Sequence, residues 1–222
     1  MTSRSHLRPL LAAASFLLLA VLAAPAQTVY DNGPINGSVD AITINFGFAA
    51  SDTFTVSTGQ TTVNGLMFGA WLFPGDVFDS VQIQISSGPL GGGTSYFDQV
   101  VNVTQSGCFA NQYGFNVCTE TADFSGPALG NGTYWVNLSN AVVNDGDPVY
   151  WDENSGVGCT SPGCPSQAEY TGTGSIPSES FTILGTSTST STTSTVPEPA
   201  SLALVGGGFL AMAGTLRRRF YL

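Results

Sequence analysis

The body of this chain is predicted to be all-β, an antiparallel β-sandwich or jelly roll, and three observations carry that prediction. Short segments alternate apolar and polar residues with a period of two. Clusters of glycine, proline, asparagine and aspartate separate them at regular intervals, and no stretch of the body sustains a helical period.

Taken in order, Ile42-Thr43-Ile44-Asn45-Phe46 is the first alternating segment, followed by Phe54–Val56 and Val63–Phe73. Val81-Gln82-Ile83-Gln84-Ile85 sets three aliphatic side chains on one face and two amides on the other, as a strand with one wet face requires. Val100–Val103, Tyr113–Val117, Thr133–Leu138, Pro148–Trp151 and Phe181–Leu184 bring the set to about eight to ten strands. Turn chemistry sits between them in Asp31-Asn32-Gly33-Pro34, Phe73-Pro74-Gly75-Asp76, the glycine-rich run 88–93, Gly130-Asn131-Gly132 and Asn144-Asp145-Gly146-Asp147. No repeat of roughly 20 to 50 residues is visible, which argues against a propeller or solenoid.

The two ends are of another kind. Arg4 and Arg8 precede an apolar stretch from Leu10 to Ala24, and Ala24-Pro25-Ala26 supplies the small residues a signal peptidase reads. Residues 1–26 are therefore expected to be a signal peptide, with cleavage between Ala26 and Gln27. A β-sandwich ectodomain is expected over 27–185. From 186 to 195 the chain is only serine and threonine, a spacer with nothing to bury. Residues 196–222 then give Val196-Pro197-Glu198-Pro199, an apolar run over 200–216, and Arg217-Arg218-Arg219. As a single hydrophobic helix those 17 residues would cover roughly 25 Å of a hydrocarbon core roughly 30 Å thick. Gly206-Gly207-Gly208 weakens the helix, and the arginines hold its far end on the cytoplasmic side.

Pro197-Glu198-Pro199, the apolar segment and the arginine cluster together resemble the PEP-CTERM sorting tail of Gram-negative bacterial surface proteins. The resemblance covers about the last 27 residues. It implies processing by an exosortase near Pro197-Glu198-Pro199, a transient stay in the inner membrane through the transmembrane helix, and delivery to the cell surface or extracellular matrix, often beside extracellular polysaccharide. An ordinary C-terminal anchor is the competing reading.

Charge narrows the function further. The five basic residues are Arg4, Arg8, Arg217, Arg218 and Arg219, and His6 lies in the signal segment. Residues 27–196 hold fourteen carboxylates and no Lys, Arg or His, a formal charge of −14. Such a body has nothing with which to neutralise phosphates, so nucleic acid is excluded as a partner. It also lacks the neutral-pKa base that Ser-His-Asp or Cys-His catalysis needs.

Four cysteines, Cys108, Cys118, Cys159 and Cys164, follow an export signal in even number, and their closeness in sequence favours disulfides Cys108–Cys118 and Cys159–Cys164. The other two connectivities remain compatible with the spacing. Zinc is disfavoured by that spacing and by the missing histidine.

Three kinds of site are then open. Asp145, Asp147, Asp152, Glu153 and Asn154 place five oxygen-bearing side chains within ten residues, a donor set for calcium, although the stretch lacks the glycine and glutamate of an EF-hand loop. Asp145, Asp147, Asp152, Glu153 and Glu169 are the carboxylates from which a glycoside hydrolase would draw its acid and base. In Thr133–Leu138 the alternation groups Tyr134, Val136 and Leu138, leaving Trp135 beside Asn137 as the ring expected to face outward and stack on sugar. The sequence leads to an exported, sorted, non-catalytic protein, a matrix component or carbohydrate-binding module. A carboxylate-dependent glycosidase and a calcium-stabilised adhesive module are the alternatives.

Overall fold

The computed structural model describes residues 26–57, 59–154 and 167–188. Its strands are β1 (Gln27–Asp31), β2 (Ala41–Thr43), β3 (Ala49–Val56), β4 (Gln60–Leu72), β5 (Phe78–Ser86), β6 (Ser95–Ala110), β7 (Asn116–Asp123), β8 (Ala128–Leu129), β9 (Gly132–Val143), β10 (Tyr150–Asp152), β11 (Ala168–Tyr170), β12 (Gly174–Ile176) and β13 (Phe181–Thr188). A single 3-10 turn, Pro89–Gly91, is the helical content of the described residues. This is the all-β, antiparallel architecture that the alternation predicts. The signal segment, Cys159, Cys164 and the hydrophobic span 200–216 lie outside the described residues. Among the described residues no helix is long and apolar enough to cross a membrane.

Hydrogen bonding runs in the order β1-β13-β4-β7-β6-β5-β9-β3-β11-β12, with β8 and β10 added to β4 and β2 to β10. The sixteen-residue β6 turns the corner between the layers. Its first half pairs with β5 (Ser80↔Asn102 to Ile85↔Phe97), and its second half pairs with β7 (Val103↔Ala122 to Ala110↔Asn116). The sheet thus folds over on itself and closes on a shared core. Val81, Ile83 and Ile85 of β5 are fully buried, and Ile83 and Ile85 stand opposite Leu138 and Val136 of β9. From the other layer, Leu66, Phe68, Ala70 and Leu72 of β4 meet them. Phe68 packs edge-on against Phe78 at 5.9 Å and against Trp151 at 6.4 Å, and Tyr30 reaches Phe54 at 6.4 Å. Burial of these apolar side chains supplies the main driving force.

Three segments depart from the sequence expectation. The alternation at Ile42–Phe46 does not continue as a strand, because β2 ends at Thr43. Phe46 adopts a positive φ of 55° and, with Gly47 at 86°, turns the backbone, leaving its ring 63% exposed. Tyr113–Val117 is a strand only from Asn116. Oδ1 of Asn111 accepts the amides of Tyr113 and Phe115, both at 3.0 Å, which makes the preceding residues a tight turn. Finally, β13 runs on into the Ser/Thr tract, pairing Thr186, Ser187 and Thr188 with Thr62, Thr61 and Gln60.

Gly69 marks the tightest passage. A Cβ at this position would lie 2.8 Å from Asp152 Cβ, Ile35 Cγ2 and Ser180 Oγ, so β4 can pass under the loop before β2 only without a side chain.

Candidate functional site

Three connections meet at one end of the fold: the turn after β4 (residues 73–77), the β9–β10 loop (144–149) and the β2–β3 loop (44–48). They are tied by the side chains of Asn45 and Asn144 and by backbone bonds. Val77 N donates to Asn144 Oδ1 at 2.8 Å, and Asn144 N to Val77 O at 3.1 Å. Asn45 Nδ2 donates to Asp147 O at 2.9 Å, and Val149 N to Asn45 Oδ1 at 3.3 Å.

Asp76, Asp145 and Asp147 converge here, with one carboxylate oxygen of each within 4.8 Å of the others. Phe73 N donates to Asp76 Oδ2 at 3.1 Å and fixes the buried member. Burial raises the Asp76 carboxyl above its ordinary range, and a hydrogen bond with Asp145, its charge and that of Asp147 act in the same sense. The Phe73 amide partly offsets this. Next to the triad is a cleft of about 360 Å³, lined by Asn45, Phe46, Gly47, Asn140, Val142 and Asp147.

The calcium donors expected from sequence therefore separate. Asp145 and Asp147 join Asp76, while Asp152, Glu153 and Asn154 lead into the interior. Asp152 is fully enclosed and accepts four hydrogen bonds: from Trp71 Nε1 (2.6 Å) and Gly37 N (3.0 Å) on Oδ1, and from Asn36 N (2.9 Å) and Ser180 Oγ (3.0 Å) on Oδ2. Burial raises its carboxyl against the pull of these donors. Asn154 Nδ2 is spent on Asn32 O, Ser178 Oγ and Glu179 O. Glu169 sits on β11 opposite Ser51 and Ser175. Of the five carboxylates a glycosidase would use, Asp145 and Asp147 come together with Asp76, Asp152 and Glu153 are buried side by side in the chain, and Glu169 is half-buried on β11.

Of the tryptophans, Trp71 and Trp151 are buried and Trp135 is half-buried, in register with Thr53 and Ser86. Its neighbour Asn137 is buried because Oδ1 accepts Gly91 N at 3.0 Å from the loop that folds over it. A stronger aromatic surface lies at the β6–β7 hairpin, closed by the Cys108–Cys118 disulfide. Tyr113 stacks on Trp71 with centroids 5.5 Å apart and planes 20° from parallel, yet remains 54% exposed. Phe115 joins Trp71, Phe73 and Tyr150 beneath it at 5.7, 4.9 and 5.5 Å. Phe73 and Asp76 share one turn, so rings and carboxylates occupy adjoining ground. Sequence reasoning missed Asp76, Tyr113 and Glu179. The Phe73-Pro74-Gly75-Asp76 turn was a legible signal for the first, with nothing local to mark its partners.

Comparison with known families decides the other end of the chain. Residues 195–219 match the family model of the PEP-CTERM protein-sorting motif. The protein carries a PEP-CTERM tail. This tail implies an exported, sorted protein delivered to the surface or extracellular space through an exosortase-type system. No curated protein matches the chain. What the PEP-CTERM tail delivers is an antiparallel β-domain closed by Cys108–Cys118, a bond suited to an oxidising compartment.

Proposed function

We propose that the chain is a surface or matrix protein without catalytic activity, whose β-domain binds extracellular polysaccharide. The observation that carries the reading is the pairing of a PEP-CTERM tail with a domain free of Lys, Arg and His. Such a domain has no histidine or lysine to serve as base for Ser- or Cys-based catalysis and, at −14, is repelled by anionic polymers, which leaves neutral glycans as the compatible ligand. Tyr113 supports it: a ring held rigid by Trp71 and a closed hairpin presents a stacking face at low entropic cost. Signal peptidase and an exosortase-type enzyme are the processing partners, and the inner membrane is occupied only in transit. A glycan array probed with the full chain and with Tyr113→Ala tests the binding. Binding of neutral glycans that weakens at least tenfold in the variant is expected, and absence of any binding refutes the reading. Release of reducing sugar from the bound glycan would return the carboxylate-dependent hydrolase.

The convergence of Asp76, Asp145 and Asp147 favours a second reading, a calcium-stabilised adhesive module. Its test is a calcium-dependent rise in melting temperature that is diminished or lost in Asp145→Asn; a rise undiminished by this change dismisses it.

A further inference from the structure

The segment leading into β13 runs between two enclosed aspartates. Glu179 N and Ser178 Oγ donate to Asp52 Oδ2 at 2.8 and 3.0 Å, and Ser180 Oγ donates to Asp152 Oδ2 at 3.0 Å. Asp52 further accepts Asn32 Nδ2 at 3.0 Å and Thr53 N at 2.6 Å. Both aspartates thus have their charge met by donors of the chain. The side chain between them does not. Glu179 is fully enclosed, and neither Oε1 nor Oε2 has a hydrogen-bond partner.

Glu153 stands directly across from it in an isolated antiparallel bridge and is itself 3% exposed. Cross-strand partners of this kind hold their Cβ atoms about 4.5–5.5 Å apart. Asp40 is exposed at the outer side, where its carbonyl accepts Glu153 N at 3.0 Å. Asp52, Glu153, Asp152 and Asp40 all repel a charge on Glu179. No Lys, Arg or His exists between residues 27 and 196 to answer them. Leaving an enclosed carboxylate charged without a partner costs several kcal/mol, and what separates Glu179 from an isolated buried acid is the second enclosed glutamate facing it and the further carboxylates around it, a grouping that a bound cation would neutralise at once.

We propose that Glu153 and Glu179, with Asp40 at the mouth, bind a hard divalent cation of the calcium class that ties β10 to the lead-in of β13. Carboxylate and backbone carbonyl oxygens are the ligands such a cation takes, and its two charges neutralise the facing glutamates together. The site differs from the Asp76 group, whose oxygens already lie within 4.8 Å of one another. The carboxylates of Glu153, Glu179 and Asp40 do not form such a group among the described residues, so the two glutamates are the direct carboxylate ligands, Asp40 adds its charge from the mouth, and carbonyl or water oxygens complete the coordination. The proposal stands whether or not the domain binds glycans.

Thermal unfolding of the full chain at neutral pH, in about 5 mM calcium chloride against excess chelator, tests it at a concentration above the ~10⁻³ M constants of weak extracellular calcium sites. Calcium is expected to raise Tm by several degrees in the natural chain and in Asp76→Asn, and to leave Glu179→Gln and Glu153→Gln unmoved. Glu153→Gln carries the comparison alone where Glu179→Gln does not fold. Either of two outcomes overturns the site: no rise in the natural chain, or a rise retained by the glutamine variants, whatever Asp76→Asn does. If Glu179→Gln raises Tm in chelator while calcium does nothing, a proton neutralises the pair and the site is again overturned.

Discussion

Trp71 Nε1 donates to Asp152 Oδ1 at 2.6 Å, joining the ring that supports Tyr113 to a buried carboxylate that accepts four hydrogen bonds. One indole thus links the outer aromatic surface to the buried acid network. Trp71→Phe keeps most of the ring contact and removes one of four donors from an enclosed charge. A loss of about 1–3 kcal/mol is expected in denaturant unfolding. Asp152→Ala strands four donors and should cost more.

Glu120 lies on β7 between Cys118 and Ala122, opposite Phe68 and Gln105, fully buried with neither carboxylate oxygen partnered. Burial alone pushes its carboxyl up to about 8. The folded protein therefore holds this proton more tightly than the unfolded chain, which releases it near 4.5. The stabilisation is complete below pH 4.5 and is lost as pH rises through about 8. Each tenfold in proton affinity is worth ~1.4 kcal/mol, so a melting series from pH 5 to 9 should show Tm falling. Glu120→Gln should flatten the series and raise Tm at its alkaline end; an unchanged slope would remove Glu120 as the cause.

The Cys108–Cys118 bridge closes a short loop. Chain-entropy arguments give about 2–3 kcal/mol for such a closure. Reduction of the full chain, or Cys108→Ser with Cys118→Ser, should lower Tm and weaken glycan binding through Tyr113, whose turn lies within the loop. Lower Tm with undiminished binding would show that Tyr113 does not need the bridge.

At Gly69 even a methyl group meets three heavy atoms at 2.8 Å. Gly69→Ala should cost on the order of 1–3 kcal/mol or more by overpacking, and urea unfolding gives the value. A neutral result would mean that the loop before β2 gives way easily.

The fold was most legible where one face is dry and the other wet. Val81 to Ile85 could be read from periodicity alone, because buried aliphatics alternate with amides. β3 was largely hidden: Ser51, Asp52 and Thr53 are buried, covered by the segment at Gln167–Ala168 and the loop at Leu90, which no local pattern announces. Glu120 misleads for the same reason, since its polarity argues for the wet face and its register puts it inside. The site suffered most. Asp76 meets Asp145 and Asp147 from a turn some seventy residues away, and Glu179 faces Glu153 across a bridge outside the named strands. Such pairings are made by tertiary closure and leave no spacing to read. The PEP-CTERM tail is legible because its physics is local: a turn motif, an apolar run and a basic stop in sequence.

Fractionation of cells producing the full chain or a chain lacking residues 195–219, followed by mass spectrometry of the mature protein's ends, tests the central claim most directly. The account predicts that the full chain's product is found at the surface or in the medium, beginning at Gln27 and lacking Arg217–Arg219, with the shortened chain failing to reach the surface. A protein found in the cytoplasm with residues 1–26 and its arginines in place would contradict it.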